Sequence, residues 1–195
     1  MPTKQRINQR GESNIMSNLK AALYYKNNLK FSVIPVGLTK KPLIEWKEFQ
    51  GRFATDEEII RWWTKTPNAN IGVVTGKISG VVVIDLDSKD AMDEFSKFLP
   101  TVPNAVRSLT PRGVHHWFAW PGFEVENRAG LLPGCDIRGD GGFVVVPPSQ
   151  NSTGKYTWEV PPINGCLEPL PQGIQKLLSL ERSIYVPPAG SMFTE

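Results

Sequence analysis

The stretch GVVVIDLDS, Gly80 to Ser88, runs four β-branched residues straight into two aspartates one residue apart. Such side chains are stiff and favour extended backbone, so Val81 to Ile84 predict a buried strand. On a strand, residues two apart share a face, which points Asp85 and Asp87 one way and Leu86 the other. Carboxylates that close repel, and burying them unpaired is costly. Two resolutions stand. A divalent cation takes carboxylate oxygens, or the aspartates are simply solvated at a strand end where Ser88 caps a helix.

A chain of 195 residues is long enough for one domain with a sizeable core. No apolar stretch reaches the length of a membrane span, and the polar start MPTKQRINQRGESN lacks a signal-peptide core, so a cytoplasmic protein is expected. The net charge of +3 is too small to indicate nucleic acid by itself, but it is uneven. Residues 1–30 hold six Lys/Arg against one acid. The organisation read from this is a flexible basic arm at 1–16, a folded domain at 17–184 and a tail or linker at 185–195. Cys135 and Cys166 make no CxxC, and His115 and His116 are the only histidines, which excludes a zinc-finger ligand pattern. No GxxxxGK[ST] is present, which excludes a P-loop.

Along the chain, Ser17 or Asn18 is the cap of a first helix with Leu19, Ala22 and Leu23 on one face. FSVIPV reads as a strand, followed by the loop GLTKKPLIEWKEF. A second helix opens at TDEEIIRWW, where Thr55 and Glu58 form a capping box and Trp62 and Trp63 are core anchors. NIGVVTG and GVVVIDLD, separated by KISG, predict an antiparallel hairpin. SKDAMDEFSKFL predicts a helix with Met92, Phe95 and Leu99 inward. Short strand-like pieces follow: AVRSLT, VHHWFAW, CDIRG, GFVVVP and KYTWEV. PQGIQKLLSLE then predicts a last amphipathic helix. Helices come early and strands late, so the expected class is α+β.

Two later stretches concentrate the chemistry. In SLTPRGVHHWF, strand alternation puts His116, Phe118 and Trp120 on one face and His115 with Trp117 on the other. One histidine then belongs among functional groups and the other to packing or solvent. In GCDIRGDGGFVVVPPS, alternation puts Asp136 and Arg138 on one face and Cys135 with Ile137 on the other. Gly139, Gly141 and Gly142 let a ligand approach the backbone closely or, with Asp140, serve a bend. Cys135 reads as a small buried hydrophobe.

The order of these pieces is more specific than any one of them. A DxD closing an apolar strand, a T-P-x-G-x-x-H loop and strand, and an h-D-h-R-G-x-G-G strand closing on P-P-S resemble one known family. It is the bifunctional DNA primase/polymerase (prim-pol) N-terminal domain of the archaeo-eukaryotic primase superfamily. The similarity runs from about Leu19 to Leu180 and takes in KKPLIEW and EEIIRWW. It implies an α+β primase-polymerase fold, with a modified RRM-like antiparallel or mixed sheet backed by helices and joined to an N-terminal α/β module. It also implies that Asp85, Asp87 and Asp136 hold two divalent ions, Mg²⁺ or Mn²⁺, and that His116 contacts the triphosphate of the incoming nucleotide. In place of the common T-P-S-G-G-R-H, this chain has Arg112 for Ser, Val114 for Gly and His115 for Arg. Asp85, Asp87, Asp136 and His116 are thus the expected catalytic residues. Arg112, His116, Arg138, Gly141 and Gly142 are the expected nucleotide-binding ones, and Lys40 and Lys41 are expected to hold template or primer phosphate.

On this resemblance the expected activity is template-directed nucleotidyl transfer from dNTPs or NTPs, in a replication protein of a mobile element or a CRISPR-linked protein. The expected partners are a single-stranded DNA template, a primer, and a helical priming domain or helicase supplied by a longer chain or another protein. Little chain follows the last helix, so primer extension is expected to exceed de novo priming. Two other classes use the same residues: a relative that binds nucleotide or nucleic acid without chemistry, and a two-metal phosphodiesterase or nuclease. Tyr156, an aromatic near the third motif, is a candidate for sugar discrimination.

Overall fold

Caps and apolar spacing set where the elements begin and end. The computed structural model describes residues 18–97, 105–163 and 166–184. Helix α1 (18–27) buries Ala22 and Tyr25. Strand β1 (Ser32–Val36) is buried throughout, and a loop leads from it to a 3-10 turn (Lys47–Gln50) that buries Phe49. Helix α2 (Asp56–Lys65) starts at the expected capping box: the Thr55 hydroxyl accepts from the Glu58 amide, and the Glu58 carboxylate accepts from the Thr55 amide. Asp56, Glu57 and Glu58 in its first turn and Lys65 in its last complement the helix dipole. Trp63 is buried and Trp62 packs edge-to-face on Phe49, so both tryptophans anchor the core as expected.

The chain continues through β2 (Asn70–Val74), β3 (Val81–Leu86) and α3 (Lys89–Ser96). The Ser88 hydroxyl caps α3 by accepting from the Ala91 amide at 3.1 Å. Then come β4 (Arg107–Leu109), β5 (Val114–Ala119), β6 (Arg128–Leu132), β7 (Cys135–Arg138) and β8 (Phe143–Val146). A short hairpin, β9 (Gln150–Asn151) and β10 (Gly154–Lys155), precedes β11 (Thr157–Val160) and α4 (Gln172–Ile184). Among the described residues the strands form two principal antiparallel sheets, ordered β1-β2-β8 and β11-β4-β5-β3-β7-β6. The class is α+β. Met92 and Phe95 point inward on α3. Leu99, the Ser17 cap, the arm at 1–16 and the tail at 185–195 lie outside the described residues.

The hairpin expected of β2 and β3 does not form. Gly76 and Val81 exchange two backbone hydrogen bonds, of 2.7 and 3.2 Å, and beyond that bridge the strands part into different sheets. Both strands are apolar on both faces, so each lies inside its own sheet with a neighbour on either edge. Positive φ at Gly76 (86°) and Gly80 (66°) lets the chain change direction between them.

β3 separates two cores. Val81 and Val83, with Trp117, pack toward the three-stranded sheet, α1 and α2. Val82, Ile84 and Leu86, with Phe118 and Ile137, pack toward α3 and α4 through Phe95 and Ile174. Each such side chain contributes about 1.5–3 kcal/mol by burial, more than intrinsic strand propensity supplies. No helix among the described residues is long and apolar enough to cross a membrane.

Asp140 fastens the junction of the two sheets. Its Oδ1 accepts from the Lys77 amide at 2.8 Å, and its Oδ2 accepts from Trp120 Nε1 and the Val125 amide, each at 2.9 Å. It thereby ties together the turn after β2, the loop after β5 and the glycine loop after β7. Asp140→Ala leaves three donors without their charged acceptor, and the expected loss is about 3 kcal/mol of unfolding free energy. Urea unfolding measures it, and a loss below about 1 kcal/mol would show that water replaces the carboxylate.

Candidate active site

Antiparallel register decides which side chains meet. Asp85 of β3 stands opposite His115 of β5 and opposite Asp136 of β7. Directly opposite residues share a face, so His115, Asp85 and Asp136 form one row across three adjacent strands. Deeper on that face, Val83 and Trp117 are core. His115 Nε2 lies 3.4 Å from Asp85 Oδ1. Arg138, on the same face as Asp136, donates from Nη2 to Asp136 Oδ2 at 2.7 Å and comes within 3.8 Å of Asp85 Oδ2. The other oxygen of Asp136 accepts from the Gly130 amide at 2.8 Å. Burial pushes the Asp85 carboxyl up, but His115, Arg138 and Lys40 together hold it below the ordinary carboxylate range.

Asp85 and His115 of the row, with Arg138, line a cleft of about 320 Å³ at the junction of the two sheets, a size that suits a small organic ligand. Asp136, bonded to Arg138, is not part of the lining. Asp85, His115, Arg138 and Asn127 make its polar wall. Phe143, Val144 and Val145 of β8, with Trp46 from the loop after β1, make an apolar one. Lys40, Tyr156 and the backbone at Gly141 and Gly142 complete the lining. Tyr156 is 2% exposed, yet its hydroxyl has no hydrogen-bond partner, and neither has His115 Nδ1. The two rings are 6.2 Å apart. Buried polar atoms without partners are rare in folded proteins. His116 Nδ1 on the far face is a third, but the two on the cleft lie where a ligand or water can reach them and where Lys40 is near enough to act on the Tyr156 hydroxyl. Burial raises the Tyr156 phenol above its ordinary value while the Lys40 ammonium pulls against it, so the hydroxyl is kept as a donor.

A DxD-bearing central strand, a neighbouring histidine strand and a D-x-R strand leading into a glycine loop thus converge on one cleft. Residues 22–173 match the family described as Prim-Pol, bifunctional DNA primase/polymerase, N-terminal. The chain belongs to the Prim-Pol family. A search of curated proteins finds no match. Membership places the chain among nucleotidyltransferase-type enzymes with a role in DNA primase/polymerase chemistry, and the α+β architecture is consistent with a Prim-Pol domain.

In this Prim-Pol domain the histidine expectation is corrected. His116 stands opposite Ile84 on the far face, 5.6 Å from the Phe95 ring and stacked on Phe118 at 6.5 Å. Burial, helped by the charge of Arg107, pushes its imidazole down to about 4, so it is neutral. The Thr110 hydroxyl accepts from the amides of Arg112 and Gly113, at 3.2 and 2.9 Å, and curls the loop tightly. A Cβ on Gly113 would collide with the Leu86 carbonyl, so only glycine lets the loop press on the end of β3. Counted from Thr110, the histidine on the carboxylate face therefore comes one residue earlier than in T-P-S-G-G-R-H.

The other expected residues divide. Asp85, Asp136, Arg138, Gly141 and Gly142 come together, and Gly141 holds a φ of 78° that suits glycine. Asp87 is exposed just past the end of β3, its amide bonded to the Gly134 carbonyl at 3.2 Å. Lys40 reaches the cleft from a left-handed conformation (φ 63°) that costs a non-glycine residue about 1 kcal/mol. Lys41 and Arg112 are both exposed, and neither belongs to the lining. Trp46, Asn127 and Phe143 line the cleft without having been singled out by their chemistry; Trp46 closes the KKPLIEW stretch, the one signal that could have marked it.

Among the described residues no three His, Cys, Asp or Glu side chains are drawn into metal-ligand geometry, and Arg138 bridges Asp85 and Asp136 instead. The donor set itself is of carboxylate oxygens on one sheet face, with Asp87 two residues beyond Asp85. That chemistry fits a hard divalent cation.

Proposed function

We propose that this Prim-Pol domain catalyses template-directed transfer of nucleotides onto a DNA primer. The observation that carries the reading is the row of His115, Asp85 and Asp136, whose first two members line a cleft with two orphaned hydrogen-bonding atoms. Asp85, Asp87 and Asp136 would hold Mg²⁺ or Mn²⁺, which supplies charge stabilisation for the attacking and leaving oxygens. Lys40, Arg138 and His115 present positive or donor groups to the triphosphate. Tyr156 donates its free hydroxyl to the same ligand, and the walls of the cleft keep water from the reacting phosphate.

A labelled primer annealed to a longer template, given dNTPs and NTPs in parallel, separates the readings. Extension supports the proposal. Shortening of the primer would mark a nuclease, and no change at all a relative that binds without chemistry.

Tyr156→Phe tests the ligand side of the cleft. The ring stays and an unpartnered hydroxyl leaves, so stability holds or rises slightly, while nucleotide affinity falls about tenfold. Calorimetric titration with a nucleoside triphosphate reads this directly, and unchanged affinity would assign Tyr156 to packing alone.

A further inference from the structure

The cleft is lined by chemically unlike residues, and the proposal above gives its apolar ones no role beyond keeping water out. On the apolar wall, Trp46 and Phe143 meet with ring centroids 5.2 Å apart and planes at 73°. In such an edge-to-face pair one ring presents its edge to the other, so at least one face of the indole is not covered by Phe143. Trp46 is half-buried and lines the cleft itself. Its backbone is held: its carbonyl accepts from the Phe49 amide at 3.0 Å, opening the 3-10 turn, and the loop before it is pinned by the Leu43 amide on the Pro35 carbonyl at 3.0 Å. A rigidly mounted aromatic ring therefore lines the same cleft as Lys40, Arg138 and the Asp85 carboxylate.

A ligand filling this space needs an anionic end and a flat, apolar, π-rich end. We infer that Trp46, backed by Phe143, is the platform on which the base of the incoming nucleotide stacks. This rests on the nucleotide reading above and adds the part of the substrate that reading leaves unassigned. Stacking is also the right kind of contact for a template-directed reaction. Every base has a π-face, so an aromatic platform holds all four without preference and leaves selection to pairing with the template.

The alternative is that Trp46 is only a side chain packed on the larger core, where it makes a partial contact. Calorimetric titration of the full chain with Mg²⁺, using each of the four dNTPs and inorganic tripolyphosphate as probes, distinguishes the two. Wild-type protein should bind every dNTP more tightly than tripolyphosphate. Trp46→Leu, which keeps apolar bulk without a π-face, should lose about tenfold or more in dNTP affinity and nothing for tripolyphosphate. Trp46→Phe, the gentler change, should lose about threefold with the same selectivity. Equal losses for both probes, or no loss for dNTPs in a folded variant, overturns the platform. Failure of the wild type to bind either probe instead overturns the nucleotide reading beneath it.

Discussion

Asp85→Asn lowers single-nucleotide incorporation by roughly 10³-fold or more and leaves the fold in place. Asp85 is the middle member of the row and, among the described residues, the carboxylate that approaches both His115 and Arg138. Its loss removes a metal oxygen and the counter-charge that positions both neighbours. The fold survives because Arg138 keeps its 2.7 Å bond to Asp136 and because β3 retains its ladders to β5 and β7. The native structure holds the Asp85 carboxyl below its ordinary value, so it favours the ionised form. That contribution is present above the ordinary carboxylate pKa and is lost as pH falls through the lowered one. The variant therefore loses a little stability at neutral pH, and the difference from wild type closes in acid. Primer extension, Mn²⁺ titration and circular dichroism together test this. A folded Asp85→Asn variant that extends primers at the wild-type rate would remove the carboxylate row from the mechanism.

His115→Ala costs about 10² in turnover and also some stability, because it empties a buried site beside Asp85, whereas His116→Leu leaves turnover near wild type. The two residues are neighbours in sequence on opposite faces of β5. His115 looks onto Asp85 and Tyr156, while His116 looks into the core against Phe95 and Phe118. Titration adds a second signature. The unfolded chain binds a proton on His116 near 6.5, but the folded chain does so only near 4. Between those values the unfolded state holds more protons, so stability falls as pH drops through the interval, by about 3 kcal/mol in all. Arg107 and His115 add to the depression, and Glu159 opposes it. His116→Leu should flatten stability between pH 6.5 and 4, read by urea unfolding across that range. A large activity loss in His116→Leu and none in His115→Ala would reverse the assignment of faces.

Much of this was legible from local pattern. The capping box of Thr55 and Glu58 and the Ser88 cap follow from side chains bonding their own backbone, three residues away. The strand Val81–Leu86 follows from a run of β-branched residues, and the pairing of His115 with Trp117 and of Asp136 with Arg138 follows from a period of two. Strand β6 escapes the pattern because Gly130, at φ 69°, interrupts it and its pairing with β7 shifts register. The partner of β3 was also beyond local reach. A short link between two apolar strands reads as a hairpin, yet each strand needed neighbours on both edges and took them from distant parts of the chain. Which histidine faces the carboxylates belongs to the same class. Alternation sorts the side chains of one strand into two sets and says nothing of how those sets align with the next strand. That alignment comes from hydrogen bonds between β3 and β5, set by a loop in which Gly113 presses on the Leu86 carbonyl. Sequence by itself determined the elements, their caps and the two faces of each strand. Only the tertiary structure decided which faces meet, because register is fixed by contacts between residues far apart in the chain.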